Sequence, residues 1–263
     1  MTKQLLKFGF ENAKLKGIWH FSLPSGFTCP AATVCLTKSD KVTGKISDGK
    51  KQEFRCYAAM DEARYPSVRK ARWHNLDLLK KKDCYAMVNL IVDSLPIALK
   101  KMGGLLRVHI GGDFFSREYF KAWAIVATMY PRITFYAYTK SVHFWQDNAK
   151  MIPYNFKLTA SKGGRFDEKI EALGLKSAEV FLSEEEASMA NLEIDHDDSH
   201  AWDSEESFAL LIHGQQKAGS KASQAQKATT TRKRRLRLSI EIILVSAVFF
   251  GIMLIFLDIV KKE

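Results

Sequence analysis

Apolar and polar positions along the chain follow two alternating rhythms. Short runs rich in β-branched and aromatic residues occur at Gly17 to Ser22, Leu105 to Ile110, Ile133 to Thr139, Asn155 to Ala160, Ala178 to Leu182 and Phe208 to His213, and each predicts a strand. Between most of them, apolar residues recur at helical spacing over Ser67 to Lys82, Tyr85 to Met102, Ser116 to Tyr130, Ser141 to Met151, Arg165 to Leu173 and Ser183 to Leu192. Such alternation predicts parallel strands, because parallel neighbours need a long return connection and a helix supplies it. The expected fold class is α/β: a partial (β/α)6 barrel of parallel strands, followed by a linker and one C-terminal transmembrane helix.

The C-terminal part of the pattern differs in kind. Ile242 to Leu257 is interrupted only by Ser246 and Gly251 and follows the basic run Arg232 to Arg237. An apolar stretch of roughly 20 residues flanked by positive charge predicts a membrane span with the large domain on the cytoplasmic side. Gln215 to Thr231 has no aromatic residue and suits a solvated helix or tether. The expected organisation is a barrel-like domain over 1–220, a basic linker over 221–237 and a transmembrane helix over 238–260. Membrane contact would run through Ser239 to Val260, with the body on the cytoplasmic face. The N-terminus lacks the apolar core of a signal peptide, which fits a cytoplasmic main domain.

Charge adds a second expectation. The chain carries +11 at neutral pH, and residues 232–263 account for four of those charges, so the body is basic by itself. That balance predicts attraction to nucleic acid, nucleotides or anionic lipid. Arg64, Arg69, Lys70 and Arg72 interleave with Tyr65 and Trp73, a mixture able to meet phosphates and stack on bases. On a helix the same segment reads more simply as a buried Trp73 face opposite a solvated charged side. Asp195 to His200 reads as an acidic surface loop.

In parallel α/β folds, functional groups gather where the loops leave the C-terminal ends of the strands. Here those loops hold Cys29, Cys35 and Cys56 after the first strand, Gly111, Gly112 and Asp113 after the second, Lys140 after the third and Ser161 after the fourth; the last run ends in His213. Clustered cysteines in a reducing compartment point to metal binding or redox chemistry. The three thiols are expected as metal ligands, with an iron–sulfur cluster, a zinc site completed by His74 or Cys84, and unliganded thiols as the alternatives. Cys84 opens an apolar helical run and reads as a small core residue. Gly111 to Asp113 also fits a tight strand-to-helix turn in which Asp113 or Ser116 caps the next helix. Lys140 and His213 equally fit a loop cation and a barrel-mouth hydrogen bond.

The motifs Leu23-Pro-Ser-Gly-Phe-Thr-Cys29-Pro-Ala-Ala, Phe54-Arg-Cys56-Tyr-Ala-Ala, His109-Ile-Gly-Gly-Asp113-Phe-Phe-Ser and Phe208-Ala-Leu-Leu-Ile-His-Gly214 resemble a bacteriophage family named after gene product 88, over roughly residues 10 to 225. A more distant similarity is to radical S-adenosylmethionine enzymes, whose partial barrels hold a [4Fe-4S] cluster on three cysteines after the first strand. That likeness implies Cys29, Cys35 and Cys56 as cluster ligands and Gly111, Gly112 and Asp113 beside S-adenosylmethionine. The chain departs from the pattern in its wider cysteine spacing and in Asp for Glu after the glycines.

No phosphate loop, H-E-x-x-H or G-x-S-x-G motif occurs, which argues against kinase and hydrolase readings. The expectation is a phage-type iron–sulfur protein, radical-enzyme-like and tethered to the membrane. The alternative is a noncatalytic module, zinc-stabilised and binding nucleic acid, or a membrane scaffold.

Overall fold

The computed structural model describes residues 4–12 and 14–232. Its centre is a seven-stranded sheet containing β1 (Gly9–Phe10), β2 (Trp19–Phe21), β5 (Gly104–Val108), β6 (Ile133–Thr139), β7 (Phe156–Ser161), β8 (Ser177–Phe181) and β9 (Phe208–Leu211), adjacent in that order. β1 pairs antiparallel with β2, and every other pairing in this sheet is parallel. The six predicted strands are thus the six parallel ones, in chain order. No barrel is closed: β1 and β9 are the two edges. The predicted transmembrane span, 238–260, lies outside the described residues. Among those described, no helix is long and apolar enough to cross a membrane.

A hairpin of β3 (Thr37–Ser39) and β4 (Ile46–Asp48) stands apart from the sheet. It leads to α1 (Tyr57–Arg64) and α2 (Pro66–Leu79), and then to α3 (Cys84–Ser94) and α4 (Ile97–Met102). The single helix predicted over Tyr85 to Met102 is therefore two. Pro96 has no N–H to donate and forces Leu95 into an extended conformation (φ −55°, ψ 133°). The remaining crossovers are α5 (Arg117–Met129), α6 (Val142–Asp147), α7 (Asp167–Ala172), α8 (Glu184–Met189) and α9 (Ser199–Asp203).

Alternation along the strands places the core. Phe21, Leu106, Val108, Phe135, Ala137 and Leu158 pack with α3 and α5 on one face, where Trp123, Tyr119 and Phe120 are fully buried. Cys84 sits in this core, 8 % exposed, as its sequence context predicts. The intervening positions, including His20, Arg107, Tyr136 and Tyr138, point to the other face. His20 on β2 and Leu210 on β9 line one cavity there. Five strand spacings of about 4.8 Å separate those strands along the hydrogen-bonding direction, so the sheet must curl for them to face each other.

Candidate functional site

The curled sheet brings its rim loops to one place. A cavity of about 160 Å3 collects the loop after β2 (Cys29, Cys35, Cys56), the turn after β5 (Gly111, Gly112, Asp113), Lys140 after β6, Ser161 at the end of β7 and His213 after β9. These nine rim residues thus line one wall or another of a single cavity.

The thiols are uncharged at neutral pH. Burial is the main cause of each upward shift, pushing Cys29 well above its ordinary value and Cys56 up to about 11; the rise at Cys35 is partly offset by Lys140. Cys29 Sγ accepts the Gly26 N–H (3.3 Å), and Cys56 occupies the N-cap position of α1. A metal ion requires its thiolates about 2.3 Å from one centre. Among the described residues no group of three or more His, Cys, Asp or Glu side chains is gathered to hold one. The iron–sulfur and metal-binding expectation for Cys29, Cys35 and Cys56 is therefore corrected: they share a cavity wall as protonated thiols. The expected completers of a zinc site do not join them, since His74 Nε2 is engaged with the Leu5 carbonyl (2.8 Å) and Cys84 lies in the core.

The glycine turn serves the protein's own packing as well as the cavity. A Cβ on Gly111 would lie 2.7 Å from an Arg72 nitrogen. One on Gly112, where φ is +86°, would lie 2.8 Å from Leu23 Cβ. Both glycines let the loop after β2 close over the turn after β5. Asp113, 4 % exposed, ties that turn to the end of β6. Its Oδ1 accepts the Phe114 N–H (2.7 Å) and the Thr139 hydroxyl (2.7 Å), while Oδ2 accepts the Lys140 N–H (2.9 Å). Burial outweighs these bonds and raises its pKa to about 6. Ser116, not Asp113, caps α5, accepting the Tyr119 N–H (3.2 Å). Lys140 Nζ donates to Ser161 Oγ (3.0 Å) and to the carbonyls of Ser161 and Lys162, so it fastens β6 to β7 rather than standing free. His213 is exposed at the mouth, its ring 4.3 Å from that of Tyr57.

Three further cavity residues escaped sequence reading. Arg107, inside β5, donates to Asp198 and to the Tyr57 hydroxyl (3.2 Å). Tyr57 in turn donates to the Ile110 carbonyl (2.7 Å). His109 follows β5 with φ +72°, a conformation non-glycine residues rarely adopt. Its Nε2 pairs with the Tyr119 hydroxyl (2.9 Å), its Nδ1 has no partner among the described residues, and burial drives its pKa down to about 3. The one readable signal was Arg107, a cation inside an otherwise apolar strand.

Two surface readings also change. Two carboxylates of the acidic loop turn inward while His196 and Asp197 stay exposed: Asp198 pairs with Lys14 (2.7 Å) as well as Arg107, and Asp195 meets His200 (3.3 Å). Arg69 and Arg72 are not solvated either, at 6 % and 5 % exposed. Arg72 pairs with the buried Glu62 (2.7 Å), and Arg69 donates to backbone carbonyls of α1 and the hairpin. A second cavity of about 820 Å3, between β1–β2, α1–α2 and the end of β9, shares Tyr57, Arg107, Tyr138 and His213 with the first.

Comparison with known proteins gives a lineage. The gene 88 protein of Mycobacterium phage D29 is 33 % identical over 125 residues, covering 45 % of this chain and 45 % of its own length. That of Mycobacterium phage L5 is 33 % identical over 125 residues, covering 45 % and 46 %. Each match thus spans less than half of the curated relative. No solved structure matches. The family profile described as gene product 88 matches residues 1–235, and the chain therefore belongs to the gene product 88 family.

Proposed function

We propose that the rim cavity is a small-molecule site and that S-adenosylmethionine is the ligand to test. One observation carries this reading: six parallel strands in chain order deliver their rim loops to a single cavity, the place where parallel α/β proteins hold ligands. The ligand class is taken from what the resemblance of the Gly111-Gly112-Asp113 turn to radical S-adenosylmethionine enzymes implies; the cluster-binding part of that resemblance is not carried over.

The cavity's chemistry suits such a molecule. Asp113, whose Oδ2 accepts the Lys140 N–H and lies 3.5 Å from Ser141 Oγ, presents a carboxyl group at the cavity wall to a donor such as an ammonium group. His109 Nδ1 and Arg107 Nε lack partners among the described residues. A volume of about 160 Å3 accommodates about one ring, as in cavities that take benzene. The adjoining 820 Å3 space receives the rest.

Equilibrium dialysis of the full chain against labelled S-adenosylmethionine tests this. Saturable binding, competed by S-adenosylhomocysteine, is expected. Leu211→Trp, which fills the cavity from β9, abolishes it while the circular dichroism spectrum and melting temperature stay close to those of the parent. Absence of saturable binding at millimolar ligand, or undiminished binding by a folded Leu211→Trp chain, would sink the proposal.

A further inference from the structure

Positive charge is not spread evenly over the body. Residues 36–82 hold thirteen Lys and Arg against six Asp and Glu, whereas residues 83–231 hold sixteen against nineteen. The hairpin, α1 and α2 therefore carry a net charge equal to that of the whole body. Arg69 and Arg72 are spent on internal contacts, but Lys41, Lys45, Lys50, Lys51, Lys70 and Lys80 are exposed.

Within this basic face lies an aromatic platform. Phe27 is 43 % exposed and meets Trp73 of α2 edge-on, with ring centroids 4.9 Å apart. Lys38 Nζ lies 5.0 Å from the centre of the Phe27 ring and Lys41 Nζ 4.8 Å from that of Trp73. The platform is held rigidly. Arg69 reaches from α2 to the carbonyls of Lys41 and Val42 at the hairpin tip (both 3.3 Å). Gly44, at φ +74°, lets the tip pass Arg69, whose guanidinium nitrogen would lie 2.6 Å from a Cβ there. The other bond of Lys41, to Asp77 (2.7 Å), is solvent-exposed on both sides, and such pairs contribute little.

We infer that this face, built from Phe27, Lys38, Lys41 and Trp73, binds single-stranded nucleic acid. An unpaired base has a π-face that takes the place of a lysine over an aromatic ring, and the displaced ammonium meets the adjoining phosphate. A duplex keeps its bases stacked on one another and offers only phosphate. Neither Phe27 nor Trp73 lines the rim cavity, and the inference does not rest on that cavity's ligand.

The test uses the full chain and a fluorescently labelled mixed-sequence 15-mer, single-stranded or annealed to its complement, over a salt series. The single strand is expected to bind more tightly than the duplex. Phe27→Ala lowers single-strand affinity about tenfold, the scale of one base–aromatic stack, and leaves duplex binding unchanged. Lys38→Gln with Lys41→Gln weakens binding and reduces the slope of log K against log salt by about 1.4, two phosphates' worth for a single strand. Lys101→Gln with Lys150→Gln, exposed positions elsewhere, changes neither affinity nor slope by a comparable amount. Equal loss from both lysine pairs, or a Phe27→Ala chain that binds as the parent does, overturns the inference. Circular dichroism of each variant shows that the fold is retained.

Discussion

Asp113 and Asp198 are both nearly inaccessible to water, 4 % and 1 % exposed, yet their surroundings push their protonation in opposite directions. Asp198 lies on the concave face between two cations, Arg107 and Lys14. Burial opposes its charge, but those cations and the bonds around it outweigh the penalty and hold its pKa below the ordinary carboxylate value. Asp113, at the rim, has neutral donors as its direct partners, and burial wins, raising it to about 6. The same side chain is a permanent counter-charge in one place and a titrating group in the other. The difference separates the molecule's polar interior into a scaffold, which must stay charged, and a cavity whose charge changes near neutral pH.

The largest effect expected is on the scaffold. Asp198→Ala leaves Arg107 buried without its carboxylate, and breaking a buried pair on one side costs about 3–5 kcal/mol. Urea unfolding at pH 7 measures this, and the double change Asp198→Ala with Arg107→Leu should recover much of it. A loss below about 1 kcal/mol would mean that Tyr57 and the cavity carry Arg107 unaided, and the contrast with Asp113 would collapse.

The rim behaves oppositely with pH. A carboxylate whose pKa is higher folded than unfolded binds its proton more tightly in the native state. Its contribution is therefore present below about pH 4 and lost as pH rises to about 6. For Asp113 the shift from 3.8 to about 6 corresponds to about 3 kcal/mol over that window. Asp198 contributes in the other sense, its stabilisation being lost as pH falls. Asp113→Asn removes the rim component, so its stability deficit relative to the parent should be larger at pH 4 than at pH 7 by about that amount. Parallel profiles for the two chains from pH 4 to 7 would show that Asp113 does not titrate in this window.

Much of this arrangement was legible in the sequence because it is written locally. The six parallel strands are short β-branched or aromatic runs, and their rim loops carry Cys, Gly, Asp and Lys where the chain turns into a helix; periodicity and turn chemistry report both. What escaped is either too short or too distant. β1 has two residues, and β3 and β4 have three each; the hairpin's Thr-Lys-Ser and Ile-Ser-Asp lack the aromatic run that marks the equally short β2. The Arg107–Asp198 pair spans 91 positions, and nothing beside Asp198 says that its loop turns inward instead of facing water. The three thiols line one cavity, but spacing along the chain does not set the directions of their side chains, and the metal-ligating group expected from it is not formed among the described residues. Two arginines of α2 were read as solvated because the helical pattern reports which face is apolar and not that a buried Glu62 waits behind it.

The smallest effect divides the turn after β5 into its two jobs. Asp113 fastens the turn to β6, while Ser116 three residues on caps α5. Ser116→Ala removes one acceptor from the first turn of a helix whose inner face includes the fully buried Trp123 and Phe120, and loss of such a cap costs about 1 kcal/mol. A serine hydroxyl does not ionise between pH 4 and 7, so this deficit should be the same across the range in which the Asp113→Asn deficit changes. The double variant discriminates further. The two side chains share no hydrogen bond, so their effects should add to within about 0.5 kcal/mol. A Ser116→Ala penalty that itself varied with pH would mean that the cap and the carboxylate act as one unit, and the titrating element of the rim would then be the whole β5–α5 turn.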